Sequence, residues 1–221
     1  MQNEKETSSR IIQQKIKTPR AAAAAGIIFS LLFSVTIIIL HLAMPAIQEQ
    51  PAGHIQYSKI MLALHLVPFS GISFIWFIGV LRDRLGEKED RFFTTVFWSS
   101  GILFLATFFV SASVAGATAN LLLGQGAQNS AGIYALGRTI SSQLLNVFSL
   151  RMAAVFIMST AALGFRTGFM PRWVSAIGFI FSLLLLLSTR FADWLPLAFP
   201  CWIFIVSVHI LVKNFRPAPQ R

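Results

Sequence analysis

No carboxylate interrupts any long apolar run of this chain. The eight acidic residues, Glu4, Glu6, Glu49, Asp83, Glu87, Glu89, Asp90 and Asp193, fall in the amino-terminal head or between the runs. Their absence from the runs argues against a membrane proton relay or an enzyme built on buried carboxylates. Charge of either sign is scarce, at 12% of residues against the roughly 25% of a soluble domain, while 55% are apolar. A soluble globular domain is thereby excluded. The single cysteine, Cys201, excludes an internal disulfide and a cysteine-based metal centre. The phosphate-cradling GxxxxGK[ST], the zinc-binding HExxH and the nucleophile elbow are all missing. "GQGAQN" lacks the third glycine and the preceding strand of a dinucleotide fingerprint. No catalytic residue, metal or cofactor is therefore expected.

What the chain has is apolar length. Its runs approach the roughly 20 residues that cross a ~30 Å hydrocarbon layer as a helix. They are apolar on every face, as in "IIFSLLFSVTIIIL", whereas barrel strands alternate. We read an all-α, polytopic transmembrane helix bundle of six spans, over 21–45, 59–81, 92–117, 134–165, 171–189 and 196–213. A polar tail (1–20), a six-helix domain (21–213) and a second tail (214–221) make up the chain. The first run exceeds the ~7–15 residues of a signal-peptide core and is expected to remain as a helix. Pro68, in "LVPFSG", predicts a kink in the second span.

Orientation follows from the positive charges, which cells retain on the cytoplasmic side of short loops. With the amino terminus inside, fourteen lysines and arginines lie in inner segments, and only Lys59, Arg138 and Arg190 in outer ones. Both termini are expected in the cytoplasm. The net charge of +10 serves this topology and the lipid bilayer, the expected partner; nucleic-acid binding is excluded because no folded soluble module is present.

A shift of 152 positions lays "PRAAAAAGIIFSLL" (19–32) on "PRWVSAIGFIFSLL" (171–184) with nine of fourteen columns identical. This repeat predicts that the first and last helix pairs are equivalent hairpins.

Two segments, "WFIGVLRDRLGEKEDRFF" (76–93) and "FRTGFMPRW" (165–173), resemble those of bacterial multi-pass membrane proteins grouped as domains of unknown function. The resemblance implies a bacterial cytoplasmic membrane and brings no activity, substrate or site residue. Within "RDRLGEKEDR" four basic and four acidic residues balance, and we read a solvated turn that fixes topology.

One cation does lie inside a run. Arg151 stands seven to nine residues into the strongly apolar part of the fourth span, the stretch "LLNVFSLRMAAVFIMS" (144–159), roughly 10–14 Å below the outer surface. An arginine at the centre of a membrane helix costs about 2.5–3.5 kcal/mol and so needs partners or water. Because helical side chains lean toward the amino terminus, its guanidinium is expected to snorkel outward, to the depth of His41 and His65. Glu49 and Asp193 would reach the same level if their loops dip inward. A helical wheel at 100° per residue separates Arg151 by about 140° or more from the stripe Arg138, Ser142, Asn146 and Ser149, which predicts two polar faces.

Arg151, His41 and His65 are the candidate ligand-binding residues, for a small anion or a lipid headgroup. The competing expectation is structural, with the arginine bonded to backbone carbonyls near Pro68 and each histidine satisfied locally. Trp173, Trp194, Trp202 and the phenylalanines are expected in interfacial belts and on lipid-facing surfaces. Two functional classes follow. One is a protein that binds or translocates a small anionic solute or lipid through an outward pocket, with Pro68 to Gly71 as a discontinuous, mobile stretch. The other is an accessory or assembly subunit presenting the small face of Ser111, Ala112, Ala115 and Gly116 to a partner.

Overall fold

The computed structural model describes residues 2–44, 56–85, 91–124, 127–168, 170–187 and 194–215, with side chains over 23–44, 56–82, 92–123, 131–168, 170–187 and 194–212. The loop "RDRLGEKEDR" beyond Arg82, together with Glu49, Arg190 and Asp193, lies outside the described side chains. The described residues are helical and contain no strand. The helices are α1 (Gln2–Ala43), α2 (Tyr57–Leu85), α3 (Arg91–Gly124), α4 (Ala127–Gln143), α5 (Leu150–Thr167), α6 (Arg172–Leu187) and α7 (Ala198–Phe215). A π turn, Leu144–Ser149, joins α4 and α5 into one rod, and a 3₁₀ turn, Leu195–Leu197, leads into α7. Six rods result.

Five of them carry apolar segments long enough to cross a membrane: Ala23–Ala43, Tyr57–Arg82, Phe92–Leu123, Ala131–Thr167 and Leu195–Val212. The remaining helix, α6, has 16 residues. At 1.5 Å per residue it measures about 24 Å, short of a ~30 Å hydrocarbon layer.

Three boundaries differ from the expected ones. Helix α1 begins at Gln2 instead of at position 21, so the polar head continues the first helix. The expected connection "NLLLGQGAQNSAG" is nearly all helical, since α3 runs to Gly124 and α4 starts at Ala127. Polar residues here decorate helix ends that need not be apolar. Pro68 sits inside an unbroken α2, on its exposed side, so the discontinuity expected at 68–71 is not found. Membrane helices accommodate a proline when local adjustments satisfy the freed carbonyl.

Helix α1 packs along both α2 and α7; α3 packs on α2, α4 and α5; and α6 packs on α5, with little contact to α7. The repeat is thus expressed unevenly. Gly26 of α1 and Gly178 of α6, its equivalent by the 152-residue shift, both face α7, at Ser207 and Trp202 respectively. The two hairpins are nevertheless packed differently.

The centre of the bundle is aromatic. Phe29 and Phe33 of α1, Phe74 of α2, Phe104 of α3, Phe156 of α5 and Phe199 of α7 are all fully buried. Their centroids stand 4.6 Å apart for Phe104 and Phe199, 4.7 Å for Phe29 and Phe74, and 5.2 Å for Phe74 and Phe156. This corrects the expectation that the phenylalanines face lipid, and Trp202, expected in a belt, is fully buried as well. Lipid tails are as apolar as the side chains, so burial is decided by shape and dispersion rather than by polarity. Rings fill the space where five helices meet.

Cations and aromatics cluster at one end of the bundle, with Arg82 over Trp98 at 5.6 Å, Arg166 over Phe93 at 5.1 Å and Trp173 edge-on to His209 at 6.4 Å. The small face expected to dock a partner is already used. Ser111, Ala112, Ala115 and Gly116 are buried within the protein, Ser111 against Ser141 and Gly116 against Leu64.

Candidate anion site at Arg151

The site begins with a tight turn. Gly168 ends α5 in the left-handed region, φ 67°, and its N–H donates to the Gly164 carbonyl at 3.0 Å. Glycine adopts this conformation without a Cβ penalty. Pro171 then opens α6, its carbonyl accepting from the Val174 N–H at 3.1 Å. In the antiparallel pair that follows, a methyl added to Gly164 would meet Ser175 Oγ at 2.6 Å, and one added to Gly178 would meet Ala161 Cβ at 3.0 Å. This register, continued along α5, sets Arg151 level with the carboxyl-terminal end of α6. The negative end of the α6 dipole therefore lies at the depth of the guanidinium, which favours a cation there.

The π turn lies immediately before Arg151. The Leu150 N–H donates to the Leu145 carbonyl, five residues back. Such a turn accommodates one extra residue, so everything beyond it is rotated by about 100° relative to an unbroken α-helix. The separation between Asn146 and Arg151, about 140° on a continuous wheel, becomes roughly 40°. Arg151 thereby comes within roughly 40° of Asn146 and 80° of Ser142, which corrects the expected separation for these two, while Arg138 remains about 120° away. Nothing in the composition of "LLNVFS" marks the insertion, and the sequence-based wheel missed it for that reason.

Arg151 is half-buried, and its Nη1 donates to the Val147 carbonyl at 2.9 Å, inside the π turn. Its other N–H groups find no acceptor among the described residues. The side chain runs toward the amino-terminal end of α5, as expected, and the carbonyl it meets belongs to its own rod instead of the Pro68 region. One turn away, Asn146 Nδ2 donates to Ser142 Oγ at 3.1 Å. Arg138 hydrogen-bonds the Tyr134 side chain. Ser149, the fourth member of the expected stripe, is buried and donates to the Phe104 carbonyl at 3.2 Å, anchoring the π turn on α3.

The two histidines are held elsewhere. The His41 ring packs against Trp194 with centroids 4.6 Å apart. His65 is exposed on α2, its Nδ1 2.6 Å from the Met61 carbonyl of the preceding turn. Among the described residues no hydrogen bond or ring contact joins Arg151, His41 and His65 to one another. Glu49 and Asp193, considered as partners, lie outside the described residues. No group of three His, Cys, Asp or Glu side chains suited to a metal gathers among the described residues.

Helix coverage completes the geometry. Helix α4 packs on α3, and α6, which covers α5, makes no substantial contact with α4 or the π turn. The chain matches no protein-family model, no curated protein and no solved structure.

Proposed function

We propose that this protein spans a bacterial cytoplasmic membrane six times with both termini inside, and that Arg151 binds an anionic group near the outward end of the bundle. The observation that carries the reading is a guanidinium inside an apolar segment, bonded among the described residues to one backbone carbonyl of its own rod. A buried or half-buried arginine with spare donors in low dielectric is a strong binder of carboxylate or phosphate oxygens. The carbonyl of Val147 holds the cation in place when no ligand is present. In this reading His41, on Trp194, belongs to the rim of the outward end, and His65 faces lipid. Helix α6 (Arg172–Leu187) is the remaining span in this reading.

Binding is favoured over passage along the bundle axis. The buried phenylalanine cluster closes that axis, and an anion has no polar partner among those rings. The accessory-subunit alternative loses its main support, because the small face of α3 is buried against α2 and α4.

The test is thermal unfolding of the full-length protein in non-ionic detergent, titrated with inorganic phosphate and with acetate. The wild type should gain several degrees in Tm with millimolar phosphate, Arg151→Lys should keep part of that gain, and Arg151→Leu should lose it while remaining folded. An equal gain in Arg151→Leu removes the proposal.

A further inference from the structure

We infer that the ligand of Arg151 is a small carboxylate with a hydroxyl group beside its charge, a 2-hydroxy acid, whose O–H is taken by the main-chain carbonyl of Asn146; this rests on the anion-binding reading above. The π turn singles that carbonyl out. In an α-helix the Asn146 carbonyl would accept from the N–H four residues on, that of Leu150. Here the Leu150 N–H donates to the Leu145 carbonyl instead, and the π turn ends at Ser149. The carbonyl of Asn146 is therefore the one passed over as the ladder returns to α spacing. A main-chain carbonyl deprived of its donor away from water costs about as much as a lost hydrogen bond, until another donor meets it.

The deprived carbonyl and the cation lie together. Helix carbonyls point toward the carboxyl-terminal end, so that of Asn146 is aimed along the rod toward Arg151. The Arg151 side chain returns in the opposite direction, to the carbonyl of Val147, the residue next to Asn146. With the π turn between them the two residues are only about 40° apart around the axis. The Asn146 side chain is engaged on the other side, Nδ2 donating to Ser142 Oγ one turn toward the amino terminus. Asn146, Val147 and Arg151 are each half-buried, in contrast to Ser149 and Leu150, which are buried.

Charge then selects the ligand. A simple carboxylate satisfies the guanidinium and leaves the carbonyl without a donor. An α-amino acid brings donors, but its ammonium sets a second positive charge beside Arg151 where the dielectric is low. A 2-hydroxy carboxylate gives its negative charge to the guanidinium and a neutral O–H to the carbonyl, so the filled site is neutral and both groups are matched. No covalent bond is made or broken. Monoanionic phosphate has the same combination of charge and O–H and serves as a surrogate. The apolar side chains of Leu145, Val147 and Phe148 on the same turn suit a ligand with a carbon skeleton.

The experiment is calorimetric titration of the full-length protein in non-ionic detergent with L-lactate, propionate and L-alanine, which are close in size and differ in the group at the second carbon. Lactate should bind about threefold or more tighter than propionate, the scale of one neutral hydrogen bond, and tighter than alanine. Arg151→Leu should lose both lactate and propionate. Asn146→Ala retains the carbonyl and should keep the lactate preference, with helical circular dichroism unchanged. Equal affinity of the wild type for lactate and propionate overturns the inference, as does tighter binding of alanine. Loss of the preference in a folded Asn146→Ala protein also overturns it, by assigning the hydroxyl to the side chain. Stabilisation by inorganic phosphate that Arg151→Leu abolishes, without binding of lactate, overturns it and leaves the anion-binding reading in place. If Arg151→Leu alters neither phosphate nor lactate binding, both fall together.

Discussion

Ser111 and Ser141 hold α3 and α4 together by exchange: the Ser111 hydroxyl donates to the Ser141 carbonyl at 2.8 Å and the Ser141 hydroxyl to the Ser111 carbonyl at 3.0 Å. Because α4 is held mainly by α3, this pair and the close contact below it position the rod that leads to Arg151. Interhelical hydrogen bonds in membranes are worth about 0.6 kcal/mol on average. Ser111→Ala and Ser141→Ala should each lower stability by about that amount. Each alanine keeps its own backbone carbonyl as acceptor, so the two losses should add except for the hydroxyl–hydroxyl contact at 3.2 Å. Steric-trap or denaturant unfolding in detergent measures both, and single variants without loss of stability would show that the exchange contributes nothing.

Gly137 of α4 is packed directly on the Thr118 side chain of α3, so closely that a methyl at 137 would overlap it. Gly137→Ala should therefore push α4 away from α3 and destabilise the protein by about 1–3 kcal/mol, the usual scale of overpacking. Thr118→Gly in the same chain should restore much of the loss by moving the gap to the other helix. The readout is Tm of the two single variants and the swap. A neutral Gly137→Ala would mean that α4 is not seated as described, and with it the rod that leads to Arg151.

The placement of the two ends relative to the membrane is accessible to labelling, because Cys201 is the only cysteine to remove. In a Cys201→Ser background, Ser8→Cys and Gln220→Cys should react with an impermeant maleimide only after the cells are opened. Gln56→Cys, just before α2, should react in intact cells. Labelling of Ser8→Cys from outside would invert the topology and move Arg151 to the cytoplasmic half.

Much of the architecture was legible in the chain itself. Length and uniformity of the apolar runs specify membrane helices, because a backbone in hydrocarbon must satisfy its own hydrogen bonds and only a helix does so within one segment. The same physics located Arg151 within a run, and the lean of helical side chains toward the amino terminus gave the direction of its guanidinium. The start of a helix at Pro171 was also read, since proline acts through a local backbone preference.

Tertiary structure decided the rest. Which faces pack is invisible in segments that are apolar all round, so the burial of Phe29, Phe104, Phe199 and Trp202 became known only when shape complementarity was resolved. The π turn at Leu144–Ser149 left no mark on composition, yet it rotates Arg151 onto the face of Asn146. It exists where Ser149 is tied to the Phe104 carbonyl of another helix, a constraint that local preference cannot encode. Hydropathy thus determined where each helix runs, and the fit between helices determined which residues of each helix meet.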